Sequence, residues 1–297
     1  MPSRVRIVLG LLSALVLVIA ALPGGGQAAG SLKIRLPYVV QTRACPPTGS
    51  SYTTIPLEGA PPLDRPIEVH PDFNLAARGW VTVSELRGLV DYNGAFDANS
   101  PQLYGLFANL RTPGFTSTHR VNDWDGKNIL PPRTDFPVTL LGMATTPGEA
   151  LLLPGRVPEI YPGYHGLVLY ASEVRITWVY TRFGYISSPS GGYGVHVENV
   201  CVDPNLLALY RAADAAGRGQ LPALRGGQPF GTARSGEILL SIRDSGSFMD
   251  PRSRKDWWRG RAALGAESGG QPRPPPPTPT PPTATPTPTP PAPALWS

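Results

Sequence analysis

This chain has four histidines and two cysteines, and one of the histidines stands four residues ahead of a carboxylate. His119 precedes Asp123 in the string HRVND, so an imidazole nitrogen and a carboxylate oxygen are both on offer to a cation such as zinc. A catalytic zinc needs three protein ligands, an open position for water and a general base. His196 and Glu198 alternate on a strand-like run and so share a face, either as replacement ligands or as a polar edge. His70 in VHPDF and His165 in GYHGL read as loop histidines. Spacing supports no Ser/His/Asp arrangement, and GGYG and GGQPFG lack the lysine or the strand-turn-helix context of a phosphate-binding loop.

The elements that must position these residues are strands. PVTLLGMATT, ALLLPGR, GLVLYAS, VRITWVYTRFGYI and YGVHVENVCV are rich in Val, Ile, Thr and aromatics and are cut by Gly, Pro or Ser. They predict an all-β fold, mainly an antiparallel sheet or sandwich. In LRGGQPFGTARSGEILLSIRDSGSFMDP, Ile238, Leu240 and Ile242 alternate with Glu237, Ser241 and Arg243, which predicts a strand with one buried face that Leu239 interrupts. One short helix is expected near residues 204–216, with Asp203 as cap, Pro204 in the first turn and an apolar stripe of Leu206, Leu207, Tyr210 and Ala213. Earlier strand candidates are LKIRLPYVV, LAARGWVTV, LRGLVDY and the stretch from Leu103 to Leu110, within a proline-rich segment expected to wrap the domain or form a small β subdomain. Tyr161, Tyr164, Tyr170, Trp178 and Tyr180 suit either a sugar-stacking groove or a core, and Tyr193, His196 and Trp178 are the candidate binding residues.

Several of these stretches together resemble the lysostaphin-type (LytM-like) zinc endopeptidases of bacterial peptidoglycan. Gly227, Gln228, Gly231, Ile242, Arg243, Gly246, Asp250 and Pro251 fall on the frame of that family's last core segment. Gly191-Gly192-Tyr193-Gly194 followed by VHVENV resembles its glycine turn and core strand, and His119 and Asp123 ahead of Pro137-Val138 match its first metal motif. The family's remaining histidines land on Ala212, Glu237 and Leu239. The resemblance therefore implies a degenerate member: His119 and Asp123 as remnants of a zinc site, and Glu237 as the candidate catalytic base or third ligand. It implies a noncatalytic protein that binds peptidoglycan, a cell-wall glycan or a cell-wall hydrolase. A residual zinc metalloendopeptidase and a purely structural surface protein are the alternatives, so no cofactor is expected unless zinc.

The two ends differ from the middle. Arg4 and Arg6, an apolar run from Ile7 to Leu22 and the small residues near Ala28 and Ala29 have the layout of a signal peptide over residues 1–28, with an uncleaved membrane anchor as the alternative. Residues 263–297 form a Pro/Thr-rich tail that favours extended polyproline and cannot pack a core. Between them the expected parts are residues 29–118 and a peptidase-like β-domain over 119–262. A formal charge of +5, part of it on the signal-peptide arginines, gives no reason to expect nucleic acid. The basic cluster Arg252, Arg254, Lys255, Arg259 and Arg261 around Trp257-Trp258 is either a solvated end packed back on the domain or a contact for anionic glycan. Export places the protein outside the cytoplasm, where Cys45 and Cys201 can pair as one long-range disulfide.

Overall fold

The apolar, β-branched runs pair into antiparallel ladders in the computed structural model, which describes residues 44–59, 64–186 and 192–260. The signal peptide, the LKIRLPYVV strand and the Pro/Thr tail expected from the sequence lie outside the described residues. In chain order the strands are β1 (Thr53–Pro56), β2 (Trp80–Thr82), β3 (Phe115–Val121), β4 (Asp123–Trp124), β5 (Ile129–Leu130), β6 (Leu140–Ala144), β7 (Ala150–Leu152) and β8 (Gly166–Ala171). They continue as β9 (Arg175–Val179), β10 (Tyr193–Glu198), β11 (Val200–Val202), β12 (Gln220–Leu224), β13 (Pro229–Ala233), β14 (Glu237–Asp244) and β15 (Ser247–Met249). The α-helices are α1 (Leu75–Arg78), α2 (Pro204–Ala215) and α3 (Arg254–Trp257).

The main sheet runs β1-β12-β8-β9-β10-β14-β6-β3-β2, with β15 pairing β14. A smaller sheet, β11-β13-β7, and the β4-β5 hairpin complete a mostly antiparallel β architecture. β14 is its hinge line: Glu237–Leu240 pairs with β6, Ile242–Asp244 with β15, and Leu239–Asp244 with β10 on the other side.

Ile238, Leu240 and Ile242 enter the main core with Phe107, Leu141 and Trp178, as the alternation predicts. The opposite face of β14 is not solvated as expected: Ser241 and Arg243 are buried too, and Leu239 packs with Leu75, Val121 and Leu140. The cause is a cover laid over that face by residues 70–78 and Phe248. Thr177 donates to the Phe73 carbonyl at 2.7 Å, and Arg243 reaches Asp72 at 2.9 Å.

That cover also corrects the strand expected over LAARGWVTV. Its first four residues form α1, because the Asn74 side chain caps the Ala76 N–H and Gly79, at φ 74°, turns the chain out of the helix; only Trp80–Thr82 is strand. LRGLVDY makes no strand, only a bridge from Val90 to Ser253, and the stretch from Leu103 begins as a 3-10 turn over Leu103–Leu106. The boundary expected at residue 118 falls inside β3, and the segment before it supplies β1 and β2 to the main sheet, which also holds β6, β8, β9, β10, β12, β14 and β15 from after it.

α2 forms where its signals place it: Asp203 accepts from the Asn205 and Leu206 N–H groups, Pro204 fills the first turn, and Leu206, Leu207 and Tyr210 are buried. Cys45 and Cys201 form a disulfide across a separation of 156 residues. In the chain-entropy view such a closure is worth about 5 kcal/mol. Thr48 adds to the same tie by donating backbone and hydroxyl hydrogens to Asp203.

Candidate functional site

His119 sits on β3 between Thr82 of β2 and Leu140 of β6. Just before it the β3–β6 register slips between Phe115 and Thr118, a bulge that lets Thr116 and Ser117 both address a neighbour beyond the adjacent strand. That neighbour is Glu237 on β14. Ser117 donates to Glu237 Oε1 at 2.7 Å, and the Thr116 hydroxyl donates to the same oxygen. The contact spans β6 because Gly142 stands in between: a Cβ there would collide with Ser117 Oγ and Glu237 Oε1.

The proton count then fixes the imidazole. Ser117 has given its hydrogen to Glu237, so His119 Nε2 donates to Ser117 Oγ at 2.9 Å. Nδ1 is left as acceptor for the Thr82 hydroxyl at 3.1 Å. Burial lowers the His119 pKa, with Glu237 pulling the other way. A neutral ring with both nitrogens committed has no lone pair for a metal.

The other expected ligands do not join it. Asp123 lies on β4, where its Oδ1 accepts the Trp124 N–H and its side chain lines a cavity with Arg78 and Arg133. Leu239, opposite Gly142, packs with Leu75, Val121 and Leu140 and offers hydrocarbon where a metal would need a donor. Among the described residues, no group of three or more His, Cys, Asp or Glu side chains is placed to hold a metal ion. These residues do not fit a catalytic zinc.

His196 occupies the same face of the sheet, opposite Ser241 and Thr177. Thr177 spends its hydrogen on the Phe73 carbonyl, so His196 Nδ1–H donates to Thr177 Oγ1 at 2.9 Å and Nε2 carries the bare lone pair. Nε2 has no protein partner. Burial drives the His196 pKa well down, and the Arg243 and Arg78 guanidiniums push it further. Glu198 is not its co-ligand: it takes Arg175 at 2.9 Å, and burial raises its pKa against that arginine's pull.

The two guanidiniums share one carboxylate. Arg243 Nη1 lies 2.9 Å from Asp72 Oδ1, whereas Arg78 Nη2 lies 3.7 Å from the same oxygen. Arg78 Nε and Nη1 have no partner. Burial first, then Arg243, lowers the Arg78 pKa to about 10.

Of the candidate binding residues, only Tyr193 is at a surface. It lines a cleft of about 150 Å³ with Tyr92, Phe136, Asp244 and Trp257, and its hydroxyl donates to Asp97 at 3.0 Å. Burial raises the Asp244 pKa, and Asp97 and Asp256 raise it more. Trp178 is fully buried against Phe230, and Tyr170 and Tyr180 are core, so the five aromatics do not form a groove. Tyr161 and Tyr164 remain outside, beneath Arg182 and Arg225.

Within the described residues the basic cluster is likewise paired internally: Arg252 with Asp250, Arg254 with Asp91, Lys255 with Asp256, with both tryptophans buried and their indole N–H groups on the Asp250 and Pro251 carbonyls; Arg261 lies outside the described residues. His70 is no loop spectator either, being buried with Nδ1 accepting the Asp72 N–H; His165 accepts from Gly226. Sequence reasoning missed Ser117, Gly142, Asp72 and Arg78. Ser117 alone carried a local signal, sharing a strand face with His119 two residues on.

No protein-family model matches this chain, and neither a curated protein nor a solved structure matches it.

Proposed function

We propose that the protein is an exported cell-envelope component whose peptidase-like domain binds peptidoglycan, a cell-wall glycan or a cell-wall hydrolase and does not cleave. The observation that carries the noncatalytic part is the closed chain Thr82–His119–Ser117–Glu237, in which the remnants of metal ligand and base neutralise each other's hydrogen-bonding capacity. Export is supported by the signal-peptide layout of the sequence and, weakly, by the Cys45–Cys201 disulfide. The Tyr193 cleft, lined by Tyr92, Phe136, Tyr193 and Trp257, supports a binding role.

A second reading, a purely structural surface protein, draws on the cover of residues 70–78 and the hydrocarbon around Leu239, which fill the face where a substrate would lie. Sedimentation with purified peptidoglycan sacculi, together with metal analysis, separates these. Retention without stoichiometric zinc or released muropeptides is the expected result. Zinc at one equivalent with cleavage lost in His119→Ala would establish the endopeptidase, and failure to sediment would leave the structural reading.

A further inference from the structure

Arg78 is 4% exposed, yet two of its three guanidinium nitrogens make no hydrogen bond, and Asp72, the carboxylate within ion-pair distance of it, is held more closely by Arg243. A guanidinium cannot shed its charge and is costly to bury short of acceptors. The side chain lies over the rings of Phe248 at 5.0 Å and Trp124 at 5.9 Å. It lines a cavity of about 70 Å³, room for several non-hydrogen atoms.

The rest of that cavity is divided by charge. Arg133 and Asp135 neutralise each other at 2.6 Å. Asp123 accepts the Trp124 N–H and, among the described residues, sits outside ion-pair distance of Arg78 and Arg133, although its charge acts on both guanidiniums. Asn122 and Thr139 add polar groups, while Val121, Phe136 and Phe248 give apolar wall. A guanidinium, a carboxylate and hydrocarbon around one cavity do not describe a site for a simple anion, which Asp123 would repel.

We infer that this cavity binds an α-amino carboxylate: the carboxylate on Arg78, the nitrogen-bound hydrogen on Asp123 and a small side chain against Phe136 and Phe248. A free amino acid and the carboxyl-terminal residue of a peptide share this chemistry and differ at the nitrogen, an ammonium in one and an amide in the other. The assignment is independent of whether the protein binds wall polymer.

Isothermal titration calorimetry on the full chain tests it with D-alanine, L-alanine, N-acetyl-D-alanine, acetate, methylammonium and inorganic phosphate. Alanine or its N-acetyl form should bind at least about tenfold more tightly than acetate or methylammonium, since neither of these engages both ends. Arg78→Met should cost about tenfold or more for every carboxylate. Asp123→Asn, on a half-buried hairpin, provides a variant that spares the core. It should weaken free alanine by about tenfold while leaving N-acetyl-D-alanine unchanged, because an asparagine oxygen still accepts from an amide. Tight N-acetyl-D-alanine binding identifies the peptide terminus as the source, and binding of the free forms alone identifies an amino acid. Silence from both forms up to about 10 mM, phosphate as the tightest ligand, or unchanged affinity in a cooperatively folding Arg78→Met would overturn the assignment.

Discussion

His119 and His196 stand on one face of one sheet, both buried, and are spent in opposite ways. Around His119 every hydrogen finds a lone pair, through three hydroxyls and one carboxylate. Around His196 the accounts stay open: one bare imidazole nitrogen, two unpaired guanidinium nitrogens and a single carboxylate between two arginines. The first region has the chemistry of a finished structural network. The second concentrates uncompensated polarity in a place a structure alone would not require, beside a cavity.

The largest effect should come from Asp72→Asn, which removes the only carboxylate shared by Arg78 and Arg243. Breaking a buried pair in this way costs about 3–5 kcal/mol, read as a lowered urea midpoint. A loss below about 1 kcal/mol would mean that the His196 side is as well compensated as the other. Gly142→Ala attacks the His119 side by forcing Ser117 and Glu237 apart, at a cost of about 1–3 kcal/mol. Wild-type stability there would show that the network is not held across β6.

The smallest expected effect is a pH dependence. His196 stays neutral in the folded protein, whereas its unfolded counterpart takes a proton near the ordinary value of 6.5. Below that pH the unfolded chain binds more protons, so stability complete above pH 6.5 should fall by about 1.4 kcal/mol per pH unit as pH drops toward the depressed folded value. His119, shifted the same way by less burial-driven change, contributes to the upper part of that window. Denaturation midpoints between pH 7 and 5 should therefore flatten in His196→Gln more than in His119→Gln, and equal slopes would erase the distinction between the two regions.

Local pattern carried the parts of this molecule whose causes are local. The β14 core face, the Asp203-Pro204 helix start and the export-compatible cysteine pair were all legible, because alternation, capping and composition act within a few residues. LAAR was misread since its helical signal is a single capping asparagine, Asn74. The second buried face of β14 was invisible because its cover comes from residues 70–78, far away in the chain. The site was the least legible: HRVND offered a metal motif, but what His119 does depends on Thr82 and Glu237, brought in by strand pairing, and on Gly142, significant only for what it leaves out.

The position of β14 has a consequence for assembly in time. A chain made from its amino end presents β1 through β13 before the strand that lies between β10 and β6 exists. Until residues 237–244 emerge, β10 and β6 are two raw edges with no common neighbour, and edges of that kind recruit other chains. This late strand is therefore the keystone, and a nascent chain halted before it is expected to need shielding rather than to fold in part.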